Sequence, residues 1–298
     1  MLPPFGPRDS FRREAPLPNT VEIAVAKLFS VRFDVDTHRC VREGMPALSA
    51  LGERLGVRFT FFVNMGRAVS RVSMLRRRAP VRMAAKLSAL DKLGWRGYLV
   101  AAGLNPRVGA ASAEVIAMAH DAGHEIGLHG GRNHAVWQHG AGSWTAERLA
   151  AEIDAVLPDL ARLLGDTVPA GFASPGWVTH PRLPGLLAER GFAYVADLHG
   201  PGDDETGGAL PMVRTRLTGE PGGIAYLEHL RATGLDDAEL ERRFVRDLER
   251  AGSHVVVYDH PYFAGIRELR TVVRMVEIAM AHGYEIVPMR EVAGAIAE

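Results

Sequence analysis

Cysteine is almost absent: Cys40 is the one thiol in 298 residues. No intramolecular disulfide and no Cys-rich zinc module can form, so any transition metal falls to imidazole and carboxylate. Net charge is absent too, with 35 basic residues against 35 acids. That balance disfavours a globally basic nucleic-acid binder. The apolar runs fall short of the ~20 residues that span a bilayer. The Pro-rich start, with Pro3, Pro4, Pro7, Pro16 and Pro18, has neither the basic opening nor the unbroken apolar stretch of a secretory signal. A cytoplasmic protein is therefore expected, one that could touch a membrane but not cross it. What is present is an ordinary globular composition, 47% apolar and 23% charged, which gives no reason for disorder.

Strand and helix patterns alternate along the chain. Residues 22–33 are rich in Val, Ile and Phe and read as a strand running into Asp34-Val35-Asp36. Further strands are expected over 57–64, 124–129, 168–173, 192–197, 253–259 and 284–287. Helices are expected over 44–55, 112–122, 145–164, 181–190, 236–251 and 267–282, from helical spacing, caps and closing glycines. The Gly- and Pro-rich stretch 200–223 reads as loop. This alternation predicts parallel strands with right-handed crossovers. No Gly-x-Gly-x-x-Gly follows the first strand, so a dinucleotide fold is not indicated. The expected fold is α/β, an irregular (β/α) barrel in one domain, 22–298. An irregular N-terminal arm, 1–21, precedes it, and 65–106 is a basic helical insertion.

Polar residues crowd the predicted strand ends, where parallel barrels carry their chemistry. A period of two puts Asp34 and Asp36 on one face. A lone Asp at a strand end is usually a turn former, but two acids so close repel unless a cation or proton intervenes. His129 and His134 flank two glycines at a spacing of five, which misses one face of a helix and suits a hinged loop bringing both imidazoles to one ion. Among 12 histidines chance pairs are common, so the pair gains weight only from its position. Two His and one carboxylate with a position left for water make a hydrolytic metal site. His260 follows a late strand at the same barrel end. Trp177, in the Gly- and Pro-shaped loop 171–177, could wall a substrate pocket or simply fill core.

Taken in order, Asp-x-Asp, a His loop, Pro175-Gly176-Trp177 and a late strand-end His resemble the polysaccharide deacetylases with a NodB homology domain, carbohydrate esterase family four. The resemblance runs from about Val31 to Met289. Within the family the chain is most similar to the branch that deformylates undecaprenyl-phosphate-linked 4-deoxy-4-formamido-L-arabinose. The supporting stretches are Asp34-Val35-Asp36-Thr37, Arg42-Glu43-Gly44, Asn64-Met65-Gly66-Arg67, Leu93-Gly94-Trp95, Glu125–His129 and Trp137-Gln138. The resemblance implies a barrel of about seven strands and a divalent ion, zinc before manganese, cobalt or nickel, held by Asp36, His129 and His134. It implies Asp34 as general base and His260 as general acid, with Asn64, Arg67 and Trp177 as substrate contacts. The reaction implied is metal-dependent removal of an N-formyl or N-acetyl group from an amino sugar, lipid-linked in the sense of that branch.

Two departures from the family pattern matter. The family spaces its two histidines by four, which would put Asn133 in the second ligand position; a one-residue insertion restores His134 and keeps Trp137-Gln138 in step. The family also often orients its base with an Arg in the Pro-containing loop, where this chain has Ala173 and Ser174. The base then needs another orienter, which the sequence does not reveal. Between Arg67 and Arg96 nine basic residues stand against the single acid Asp91. Met83, Leu87, Leu90 and Leu93 share one face there, as in a helix for an anionic membrane surface or one packed on the barrel. The alternatives to a lipid-linked substrate are a soluble or polymeric amino sugar, or a non-catalytic glycan or lipid binder.

Overall fold

The computed structural model describes residues 26–69, 104–220 and 222–298. The expected arm 1–21, and the part of the basic insertion between 70 and 103, lie outside the described residues. β1 (Leu28–Val35) pairs on one side with β2 (Thr60–Val63), and β2 with β3 (Glu125–His129). β4 (Gly171–Ala173), β5 (Tyr194–His199) and β6 (Met212–Thr215) continue the sheet. β7 (His254–Asp259) lies on the other side of β1. All these pairs are parallel, in the order β6-β5-β4-β3-β2-β1-β7. Leu217, just past β6, bridges to β7: its N–H donates to Val256 O (3.0 Å) and its carbonyl accepts from Tyr258 N (3.2 Å). The sheet thus curls into a nearly closed barrel, the expected fold class.

The period of two sorts the side chains. Phe29, Val31, Phe33 and Val35 of β1 face outward into the main core, with Phe61, Val63, Ile126, Leu128, Phe172, Val195, Val255 and Val257. That core is sealed by flanking helices, among them α1 (Met45–Leu55), α2 (Ala113–Asp121) and α8 (Asp237–Ala251). The alternate residues fill the barrel: Leu28, Phe62, Ala173, Tyr194, Ala196, Val213 and Val256. Burying a large apolar side chain is worth about 1.5–3 kcal/mol, so both faces of the strands contribute to stability. The C-terminal helix α11 (Met289–Ala297) closes the far end, with Met289, Val292 and Ala293 in the barrel cluster. Its first turn is pinned there: Met289 N donates to Thr60 Oγ1 (2.8 Å) and Arg290 N to Glu125 Oε2 (2.9 Å). The open end is therefore the one at the strand C-termini.

Three elements differ from expectation. The stretch 200–223 carries β6, whose Val213 and Thr215 are buried; four residues between glycines and prolines are too few to show a period. The helix expected over 145–164 is two, α4 (Ala146–Asp154) and α5 (Leu157–Leu163). Pro158 lacks the N–H an uninterrupted helix requires and sits in the first turn of the second one. The last expected strand is the short β8 (Glu285–Ile286), pairing with β1 off the main path. Between the named strands run α3 (His134–Gly140), α6 (Leu183–Ala188), α7 (Tyr226–Ala232), α9 (Pro261–Ala264) and α10 (Leu269–Ala281).

Candidate active site

The strand C-termini bring Asp34, Asp36, His129, His134 and His260 together. Asp34 is the penultimate residue of β1 and points into the barrel beneath the mouth. His129 ends β3. Gly130 then turns the chain at φ 72°, where a Cβ would lie 2.6 Å from the Pro175 ring. Asn133 ends the loop as the N-cap of α3: its side chain accepts from Val136 N (3.0 Å) and donates to Val69 O (2.9 Å). Its amide is thereby spent on the backbone. His134 is the first residue of α3, and its N–H is held by Arg67 O (2.8 Å).

Asp36, His129 and His134 offer ligand atoms that all lie within 4.8 Å of one another. Asp36 Oδ1 is 3.2 Å from each of His129 Nε2 and His134 Nε2. That oxygen is buried yet has no hydrogen-bond partner among the described residues. Donor atoms bonded at about 2.0–2.1 Å to a tetrahedral ion stand about 3.3 Å apart. The three atoms therefore converge as ligands of one cation would. His129 Nδ1 donates to Ala173 O (2.9 Å); a carbonyl can only accept, so in the neutral ring Nε2 keeps its lone pair for the cluster. Burial would raise the Asp36 carboxyl, but the His134 charge and the approach of His129, His134 and His260 hold it well below the usual carboxylate range.

Asp34 sits apart from that cluster. Its Oδ2 is 3.9 Å from His129 Nε2, and both its oxygens are held by Arg32. Arg32 Nη2 donates to Oδ1 and Oδ2 at 2.9 Å each, and Nε to Oδ1 at 3.2 Å. Arg32 is fully buried, inside the barrel two residues before Asp34. Its Nη1 reaches Ala196 O (2.6 Å) and Thr215 Oγ1 (3.3 Å). Its guanidinium carbon lies 4.5 Å from the Trp177 ring centre, 4.9 Å from Phe62 and 5.2 Å from Tyr258.

His260 follows β7 and is buried. Its Nδ1 bonds Glu228 Oε1 of α7 (2.6 Å), while Nε2 lies 3.0 Å from Tyr258 Oη and 3.3 Å from Asp36 Oδ2. Burial would lower its pKa, but the Glu228 charge and the bonds to Asp36 and Glu228 raise it well above an ordinary histidine. Asp259 Oδ2 accepts Leu227 N (2.6 Å), anchoring the turn of α7 that carries Glu228.

The expected substrate contacts divide. Trp177 sits at the mouth in a left-handed conformation, φ 60°, strained for a bulky residue by about 1–2 kcal/mol. It is held there by Nε1 donating to Gly223 O (2.7 Å) and by the His199 ring at 4.8 Å. Asn64 is fully buried and serves the backbone, donating to Asp36 O (3.1 Å) and accepting from Gly66 N (2.9 Å). The guanidinium of Arg67, an exposed residue, donates to Asn105 O. These two residues shape the loops under Asp36 and His134 and present no described contact to the reacting groups. Sequence reasoning missed Arg32 and Glu228. Arg32 carried a signal, a charge two residues from Asp34 in an apolar strand; Glu228, in a segment without periodicity, carried none.

No family model matches the chain. It is 34% identical over 179 residues to the probable 4-deoxy-4-formamido-L-arabinose-phosphoundecaprenol deformylase ArnD of Shewanella sediminis, covering 57% of this chain and 56% of that protein. The match thus spans little more than half of the curated relative. Among solved structures, a probable polysaccharide deacetylase from Pseudomonas aeruginosa PAO1 superposes with TM-score 0.58 at 14% identity, covering 90% of each chain. The chitin deacetylase of Colletotrichum lindemuthianum gives TM-score 0.53 at 14% identity, covering 90% of this chain and 88% of that one. The fold is that of the polysaccharide deacetylases.

Proposed function

We propose that this chain is an amide hydrolase of the polysaccharide deacetylase family that removes a small N-acyl group from an amino sugar. One observation carries the reading: two imidazoles and a carboxylate converge for a cation, flanked by a second carboxylate and a buried His–Glu pair. Asp36, His129 and His134 would hold a divalent ion, for which His, His and carboxylate suit zinc, with manganese, cobalt or nickel as further candidates. Such an ion, when bound, supplies Lewis acidity toward water and the amide carbonyl. Asp34, held by the Arg32 guanidinium, takes the proton of the attacking water. His260, protonated and held by Glu228, gives its proton to the departing nitrogen as the C–N bond breaks. The products are a free amine on the sugar and a carboxylate, formate or acetate.

The finer reading is an N-formyl group on a lipid-phosphate-linked sugar. It rests on the similarity to a relative named as a phosphoundecaprenol-sugar deformylase and on the basic stretch from Arg67 to Arg96. Each Lys or Arg near an anionic bilayer is worth about 1 kcal/mol, enough in number to bring the mouth to the surface. No described helix is long and apolar enough to cross a membrane. The test is acyl release by metal-loaded protein from formamido and acetamido sugars, lipid-linked and short soluble, with flotation on anionic liposomes at low and high salt. Formate release from the lipid-linked sugar and salt-sensitive flotation are expected. Release from soluble sugars alone, without flotation, would overturn the lipid link; no release from any of them would overturn the hydrolase reading.

A further inference from the structure

Asp34 and Asp36 are chemically identical carboxylates on one strand end, two residues apart and both within 4 Å of His129 Nε2. Nothing in residue type tells one to bind a cation and the other to stay free. Their partners do. Asp36 Oδ1 is buried and, among the described residues, without a hydrogen-bond partner, aimed between two imidazoles. Asp34 has both oxygens taken by one guanidinium at 2.9 Å.

We propose that Arg32 sorts the two carboxylates: by holding both Asp34 oxygens it keeps that residue out of the cation's ligand set. Arg32 is thus a positioning residue for the reaction proposed above, on which this inference rests. The side chain is built for the task. A planar guanidinium meets a carboxylate with two parallel N–H bonds, which an ammonium cannot do. Arg32 cannot swing away, because Nη1 is tied to Ala196 O and Thr215 Oγ1 across the barrel. Trp177, Phe62 and Tyr258 surround the guanidinium with ring faces. The left-handed, anchored Trp177 closes the side toward the mouth, so its role includes keeping Arg32 in place. Released from Arg32, Asp34 would need to move Oδ2, now 3.9 Å from His129 Nε2, only about 0.6 Å closer to reach the ligand spacing of about 3.3 Å set by tetrahedral coordination.

The test is titration of Co²⁺, read by visible absorption and by calorimetry, into the purified wild type, Arg32→Lys, Arg32→Gln, and Arg32→Gln with Asp34→Asn. Arg32→Lys keeps the buried positive charge while losing the two-point grip, so it separates geometry from charge and is the variant on which the idea stands if Arg32→Gln does not fold. The expected result is an altered Co²⁺ spectrum and at least threefold tighter binding in Arg32→Lys and Arg32→Gln. Adding Asp34→Asn should return both to wild-type values. On an accepted acyl sugar, Arg32→Lys should lose at least tenfold in kcat with KM within threefold. Unchanged spectrum and affinity in Arg32→Lys, or a change that survives Asp34→Asn, would overturn the sorting role. Failure of the wild type to bind Co²⁺ would instead count against the metal centre itself, and these outcomes are distinct.

Discussion

At the scale of single residues, the proposal that His134 and not Asn133 is the second imidazole-position ligand rests on what each side chain does with its polar atoms. Asn133 uses both ends of its amide on the backbone, accepting from Val136 N and donating to Val69 O. His134 instead turns Nε2 toward Asp36. His134→Ala should therefore abolish stoichiometric zinc in metal analysis of dialysed protein. Asn133→Ala should keep zinc and lose about 0.5–2 kcal/mol of stability as a removed N-cap. Zinc lost from the second variant and kept in the first would reverse the assignment. The histidine pair and the acid pair were legible in the sequence because two-residue alternation and a glycine hinge are local. Arg32 was legible only as another strand residue: its carboxylate is local, but Ala196 and Thr215 come from strands more than 160 positions away.

At the scale of elements, the position of His260, the proposed acid, depends on a close approach between a turn and a helix. The helical turn Cys40–Gly44 abuts α9, whose N-cap is His260. A Cβ on Gly44 would lie 2.1 Å from Pro261 O and 2.3 Å from Pro261 C, so any side chain there must push the backbone adjoining His260. Gly44→Ala should lower both Tm and kcat. Its control is Asp236→Ala, which removes one half of the capping box of α8 and should cost about 1 kcal/mol without touching kcat. Thermal melts and steady-state rates on the same preparations decide it; equal kcat in the two variants would mean that α9 tolerates displacement. The helices with strong caps and spacing were legible. β6 and the break before α5 were not, since one is shorter than its own signal and the other turns on a single proline.

For the whole molecule, stability against pH depends on buried imidazoles of opposite sign. His124 is buried between α1 and the sheet, its Nδ1 accepting Phe59 N (3.1 Å) and Nε2 meeting Ser49 O (3.3 Å). Burial is the main cause that lowers its pKa, with the Arg58 charge adding to it. The unfolded chain then binds a proton that the folded one refuses, so this contribution is present above the unfolded pKa of about 6.5 and is lost as pH falls below it. His129 and His260 are raised against burial by neighbouring carboxylates; their contribution runs the other way, present at low pH and lost as pH rises through the folded value. The total curve therefore does not report His124, but a difference does. Denaturant midpoints at pH 7.5 and 5 should fall further in wild type than in His124→Gln. Parallel slopes in the two proteins would exclude His124 as a source of acid sensitivity.

The chain's own periodicity set the alternation of strands and helices, hence a parallel barrel, and with it the end of the barrel where polar side chains collect. It also determined which residues sit at that end, because side-chain direction in a strand follows from counting by two. Which carboxylate is held by Arg32 and which faces the imidazoles, the meeting of Glu228 with His260, and the backbone bonds made by the Asn64 and Arg67 side chains come from tertiary structure. Those assignments depend on partners brought together by barrel closure and loop packing. Local pattern records what a residue is and where it points, while the partner of a buried charge is chosen by whichever distant group the fold delivers within about 3 Å.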